Sequence, residues 1–192
     1  MNRIETELPG VCVLEPVVHG DDRGFFIETY NRRTFERIGI VREWVQDNFS
    51  RSHRGVLRGL HYQIARPQAK LVHVTAGEVL DVAVDVRRGS PTFGRWTSVR
   101  LSAENRRVLF VPEGFAHGFY VISEGAEIAY KCSDFYTPRH ERGLIWNDPD
   151  LGIPWPIYGN EQVTISPRDA AFARLNEIPG HDLPTYEPDE EK

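Results

Sequence analysis

Two side chains in this 192-residue sequence have types suited to moving a proton next to a carbonyl group, His61 and Lys70, and His117 reads beside them as a ligand contact. An imidazole titrates near neutrality, so with a carboxylate beside it the ring works as a general base. An ammonium held close to the same carbon steadies the oxyanion that forms when the proton leaves. Base plus oxyanion stabiliser is the equipment for enolisation. A phenol on the opposite face would return the proton, and Tyr130 is a candidate. The remaining histidines, His19, His53, His73, His140 and His181, have no comparable setting, and His73 has the opposite alternation parity to Lys70, which places it on the other face of a strand.

Such residues need a scaffold to bring them together. Short β-branched and aromatic runs occupy 11–17, 24–30, 43–49, 56–63, 70–75, 78–86, 95–101, 107–111, 117–122 and 126–136, punctuated by Gly, Pro and Asp. The clearest two-residue period sets Val82, Val84 and Val86 against Asp81, Ala83 and Asp85. So many short strands with almost no helical periodicity predict an all-β sandwich or jelly roll. Two short peripheral helices are predicted over 32–38 and 167–175, the second with Ser166 as N-cap and Pro167 in its first turn. The length suits one domain with a core of its own over 1–178. Residues 179–192, rich in Pro and acidic side chains, read as a loosely held tail.

Composition narrows the function classes. A formal charge of −5 argues against a nucleic-acid or membrane-binding protein but leaves room for an anionic small ligand gripped by a local cluster of Arg and Lys. Cys12 and Cys132, among apolar neighbours, read as buried hydrophobes. No apolar leader or bilayer-length stretch is visible, so the expected location is the cytoplasm. Trp44, Trp96, Trp146 and Trp155 read as packing residues.

Two segments resemble the paired motifs of the cupin superfamily. Gly55, His61, Gln63, Lys70 and Gly77 fall on the first frame, with a longer gap before Lys70, and Pro112-Glu113-Gly114-Phe115-Ala116-His117 falls on the second. The resemblance implies a cupin-type jelly roll, a double-stranded β-helix sandwich. The departures matter more. A metal-binding cupin brings three histidines and a carboxylate to one ion, whereas here Gln63 replaces a histidine and Lys70 the carboxylate. An ammonium has no lone pair to offer and repels a cation, so the expected pocket holds no metal.

A longer resemblance is to the dTDP-4-dehydrorhamnose 3,5-epimerase family. It is carried by Asp22-Arg23-Gly24-Phe25-Phe26-Ile27-Glu28, Gln46-Asp47-Asn48, Val56-Leu57-Arg58-Gly59-Leu60-His61-Tyr62-Gln63, Lys70-Leu71-Val72, Gly77 to Asp85, Ser90 to Gly94, Pro112 to Phe119, Ala129-Tyr130-Lys131, Ile145 to Asp148 and Ser166-Pro167-Arg168-Asp169. What it implies is an isomerase that inverts C3 and C5 of a dTDP-linked 4-keto-6-deoxyhexose, without cofactor, as a homodimer whose early strands pair across the subunit interface. It makes His61 the base oriented by Asp169, Tyr130 the acid at C5, and Lys70 the partner of the C4 oxygen. Arg23, Arg58 and Arg168 become diphosphate and nucleotide contacts. Phe26, Glu28, Gln46, Asn48, Glu141 and His117 become substrate contacts, and Tyr136 the aromatic that stacks on thymine.

Plainer readings stand beside these. Asp169 alone would charge-stabilise a helix N-terminus, and Tyr130 alone would be a core residue. Strict alternation sets Arg58 on the face opposite His61, unless Gly59 hosts a bulge that re-aims one of them. Competing functions are a single-site epimerase or ketoisomerase on the same kind of sugar, a binding module without turnover, and a metal-dependent dioxygenase or isomerase.

Overall fold

A computed structural model describes residues 1–159 and 161–188. Two antiparallel sheets face each other. The first has six strands in the order β1 (Asn2–Glu5), β2 (Cys12–Glu15), β10 (Val108–Val111), β7 (Lys70–Ala76), β12 (Gly125–Cys132) and β5 (Gln46–His53). The second has five, β13 (Glu141–Gly143), β6 (Leu57–Gln63), β11 (Phe115–Val121), β8 (Glu78–Asp85) and β9 (Trp96–Ser102). Strands β3 (Val18–Asp21) and β4 (Gly24–Ile27) form a separate hairpin. The predicted all-β, cupin-type jelly roll is therefore the observed class. Among the described residues only two short α-helices occur, α1 (Arg32–Arg37) and α2 (Pro167–Ala170).

Alternation along each strand explains the layering. Val13, Val72, Val74, Leu109, Val111 and Ile128 of the first sheet meet Val79, Ala83, Leu101, Phe115, Phe119 and Val121 of the second in the main core. The residues between them face outward. Leu14, Leu71, Val108 and Phe110 pack under Phe35 of α1 and Ile40. On the far side Leu60, Leu80, Val82 and Val84 are covered by Leu144, Leu151 and Leu175, with Trp96 and Trp155 against them. Covering both faces of the second sheet leaves β11 buried along its whole length, so its sequence reads as continuous apolar residues rather than as alternation. Asp81 and Asp85, opposite in parity to Val82 and Val84, are likewise fully buried.

Several boundaries differ from the sequence expectations. Strands β1, β3 and β13 lie outside the predicted runs; β1 and β13 are short and half-polar, without an apolar signal. The second helix ends at Ala170, and residues Leu175–Glu177 form a 3-10 turn instead. Residues 180–186 depart from the expected loose tail. Tyr62 Oη donates to the Asp182 carbonyl (3.0 Å), Arg142 pairs with Asp182 (2.7 Å), and Arg88 and Thr185 form a parallel bridge. Leu183 packs against the cluster outside the second sheet. Composition concealed this anchoring because acidic and proline residues outnumber the few that dock; residues 189–192 of the tail lie outside the described residues. Cys12 and Cys132 are buried free thiols. No helix among the described residues is long and apolar enough to cross a membrane.

Candidate active site

A cavity of about 320 Å³ opens between the two sheets. Its first wall is strand β6, where a local irregularity decides what can act together. In the pairing of β6 with β11, His61 opposes His117 but Arg58 opposes Phe119, so β6 carries one extra residue between two fixed pairs. The bulge falls at Gly59, whose φ is +114° and whose missing Cβ would lie 2.6 Å from Gly118 Cα. Only glycine fits there. The bulge reverses parity, and Arg58 and His61 both line the cavity despite their odd spacing. Arg58 Nε is steadied by Ser52 Oγ at 3.0 Å.

His61 is anchored from behind. Its Nε2 is 3.0 Å from Asp169 Oδ1, across 108 residues of sequence. The other Asp169 oxygen accepts the Gly59 N–H at 3.1 Å, so the bulge and the dyad are one construction. Asp169 also sits in the first turn of α2, its N–H capped by Ser166 Oγ at 3.0 Å. Both readings of Asp169 thus describe the same residue. Burial by itself would raise its carboxyl pKa, but the hydrogen bond and charge of His61, with the Gly59 N–H, outweigh burial and hold it at about 2. The imidazole stands edge-on to Phe172, ring centroids 5.7 Å apart. Gly143, the cross-strand partner of His61, leaves room for that ring.

The first sheet supplies the facing wall. Lys70 and Val72 from β7 and Ile128, Tyr130 and Cys132 from β12 line it, while His73 faces the other side as its parity requires. Burial raises the Tyr130 phenol, with Cys132 adding to it and Arg58 opposing. The phenol therefore stays protonated and able to donate. Among the described residues the Lys70 ammonium forms no ion pair.

Polar groups gather at the mouth. Tyr136 Oη donates to Glu141 Oε2 (2.7 Å), and Arg168 pairs with the same carboxylate. Gln46 Nε2 donates to Asn48 Oδ1 (2.8 Å), and Gln46 Oε1 accepts the Tyr136 N–H (2.9 Å). Gln63, which stands where a metal-binding relative has histidine, spends its amide on the backbone of two loops: Nε2 donates to Arg66 O and Oε1 accepts the Thr137 N–H, both at 2.7 Å. Both imidazoles are committed to carboxylates, His117 Nε2 lying 2.7 Å from Asp81 Oδ1. With Lys70 in the same cavity, this donor set does not fit a divalent ion. Among the described residues no group of three His, Cys, Asp or Glu converges as ligands.

Ten of the expected residues thus line one cavity: Gln46, Asn48, Arg58, His61, Lys70, His117, Tyr130, Tyr136, Glu141 and Arg168, with Asp169 directly behind. Arg23, Phe26 and Glu28 do not. They belong to or follow the β3–β4 hairpin, which pairs with neither main sheet. Arg23 pairs with Asp21, Phe26 is 68% exposed, and Glu28 accepts from Asn31 Nδ2 at 2.9 Å. Sequence reasoning missed Asp81, Phe172 and Ser52. Asp81 had a signal, a carboxylate inside an otherwise apolar strand; Phe172 and Ser52 had none.

Comparison with known proteins agrees with this geometry. Residues 5–177 match the dTDP-4-dehydrorhamnose 3,5-epimerase family. The chain belongs to that family. A curated family member from Pseudomonas aeruginosa is 60% identical over 158 residues, covering 82% of this chain and 87% of its own. The crystal structure of dTDP-6-deoxy-D-glucose-3,5-epimerase from Legionella pneumophila, in complex with dTDP-4-keto-L-rhamnose, is 53% identical with a TM-score of 0.94, covering 97% of this chain and 98% of its own. ChmJ, a 3'-monoepimerase from Streptomyces bikiniensis in complex with dTDP-quinovose, is 38% identical with a TM-score of 0.88, covering 94% and 92%.

Proposed function

We propose that this chain is an isomerase that inverts C3 and C5 of dTDP-4-dehydro-6-deoxy-D-glucose, giving dTDP-4-dehydro-L-rhamnose on the way to dTDP-L-rhamnose. The observation that carries the reading is the carboxylate-backed imidazole of His61 on one sheet, facing Tyr130 and Lys70 on the other. With Nε2 held by Asp169, His61 presents Nδ1 to the substrate. It takes the proton from C5, and the electron pair of that C–H bond moves onto the C4 oxygen, where the Lys70 ammonium stabilises the enolate. Tyr130 returns a proton to C5 from the opposite face, which inverts the carbon. The same ketone makes C3 acidic, and a second cycle inverts it. No electron leaves the substrate, so the chemistry calls for no redox cofactor.

Binding roles follow from position. Arg58 and Arg168 suit a diphosphate, since guanidinium forks match phosphate oxygens. Tyr136, half exposed at the mouth, suits stacking on thymine, with Gln46, Asn48, His117 and Glu141 as polar contacts. Arg23, Phe26 and Glu28 reach a substrate only if their hairpin enters the cavity of a second copy. The exposed Val17, Val18, Phe25, Phe26 and Phe49 support that arrangement. The working unit in this reading is a cytoplasmic homodimer, each chain one domain that takes in the docked residues 180–186, with no role for nucleic acid or a membrane.

A C3-only epimerase is the second reading, favoured by the likeness to a 3'-monoepimerase. Turnover of the keto sugar in deuterated water separates the two. NMR of the product should show solvent deuterium at both C3 and C5; label at C3 alone would establish the second reading.

A further inference from the structure

Strand β8 lies between β11 and β9 in the second sheet, and at its centre sits a carboxylate that the mechanism above does not use. Asp81 has no exposed surface. Its Oδ1 lies 2.7 Å from His117 Nε2, and its Oδ2 is buried with no hydrogen-bond partner among the described residues. Asp169 makes the contrast, since both of its oxygens are engaged. A buried carboxylate with a bare oxygen is expensive, and an apolar residue of similar volume would pack as well or better. Packing therefore does not account for Asp81. What it faces does.

Two cavity groups lie within its influence. In the β8–β11 pairing Asp81 opposes Phe119, which makes His117 its diagonal neighbour on the same sheet face. Lys70, which lines the same cavity as His117, also feels the Asp81 charge. Other titratable or charged groups around that cavity are Arg58, His61 and Tyr62 on β6, His117 on β11, Tyr130 and Cys132 on β12, Glu141 on β13, Tyr136 and Arg168, with Asp169 behind His61. Burial is the largest influence on Lys70 and lowers its pKa, opposed by Cys132, Asp81 and Glu141 in that order. Burial raises the Cys132 thiol, which leaves it neutral, and Glu141 is already matched by Arg168. Asp81 is the fully buried carboxylate among the groups that favour the ammonium.

We propose that Asp81 is a positioning residue for this reaction: it fixes the His117 ring through Nε2, so that Nδ1 meets a sugar oxygen, and behind that ring it sets a buried negative charge beside the cavity that Lys70 lines. The inference rests on the epimerase reading. Asp81→Asn conserves shape and removes the charge. Without that charge the ammonium deprotonates more easily, so the alkaline limb of the kcat–pH profile moves down by about one unit, and kcat near neutrality drops about tenfold with little change in KM. The unfolding temperature stays level or rises, because a costly buried charge is gone. A kcat and pH profile equal to wild type would overturn the proposal. So would a lower unfolding temperature with an unshifted alkaline limb, which marks a merely structural residue. Nitrogen-15 histidine spectra of the wild-type protein give a test independent of turnover and of the variant's folding. The His117 signal, assigned with His117→Asn, should report a proton on Nε2, and a proton on Nδ1 alone would overturn the proposal. Wild-type protein without turnover of the keto sugar would strike the epimerase reading, while the tautomer result would stand by itself.

Discussion

The wall formed by β6 and the hairpin formed by β3 and β4 carry equally dense runs of the family's motif residues, yet the structure uses them differently. In β6 the segment from Arg58 to Gln63 is threaded through the second sheet, and every polar side chain along it has a fixed partner: Ser52 for Arg58, Asp169 for His61, Arg66 and Thr137 for Gln63. In the hairpin, Arg23 and Phe26 project into solvent with only a neighbouring aspartate and an imidazole at hand. A reacting group has to be held within a fraction of an ångström, and a buried strand bonded on both sides does that. A group that merely closes over a ligand can wait on an exposed hairpin until a second surface covers it. The difference teaches that a motif marks participation in a site, while burial marks which part of that site one chain completes alone.

The largest effect should come from the rigid half. His61→Ala removes the proposed base, and loss of a positioned base typically costs roughly 10²–10⁴-fold; exchange of both the C3 and C5 protons with deuterated solvent should vanish together. Survival of either exchange would mean that another group takes that proton. Tyr130→Phe should follow, with C5 inversion falling far more than proton loss from C3, read as the ratio of the two deuterium incorporations. Equal retention of both would reduce Tyr130 to a packing residue. Asp169→Asn should act more gently on turnover and visibly on acid stability. The folded carboxyl titrates at about 2 against a reference of 3.8. Its ionised form therefore contributes stability in full above about pH 4, and that contribution, about 2 kcal/mol, is lost as the pH falls towards 2. Denaturant melts of the variant should lack that dependence over the same interval.

How far the sequence reveals this division depends on the range of the interaction. The jelly roll was legible because alternation and turn residues are local, and the two-sided burial of β11 shows in its mostly apolar run, whereas the alternation read in β8 concealed the burial of Asp81 and Asp85. The Arg58–His61 pairing was legible only through Gly59, since strict alternation separates the two side chains and a glycine is the one local cue that alternation breaks. The His61–Asp169 contact was not derivable from spacing at all. It depends on how the chain returns 108 residues later to set α2 behind β6, and only the family resemblance supplied it. Docking of residues 180–186 was hidden for the opposite reason: an acidic, proline-rich composition masked Asp182, Leu183 and Tyr186, which tie it down.

The smallest effects should come from the hairpin, and they test the comparison most directly. Arg23→Ala leaves the β6 wall untouched, so kcat should hold while KM for the nucleotide sugar rises by about tenfold, in line with roughly 1.4 kcal/mol for one charge-assisted contact. If Arg23 serves the cavity of a second copy, the defect can be complemented. Arg23→Ala protein retains His61, and His61→Ala protein retains Arg23. A mixed dimer of the two then holds one site with both residues intact and one site lacking both. Unfolding and refolding the variants together should therefore produce dimers with low-KM activity that neither variant shows alone, rising with the fraction of mixed species. Activity that stays at the average of the separate variants would place Arg23 in its own chain's site or outside any site, and the contrast between wall and hairpin would then be one of exposure without division of labour.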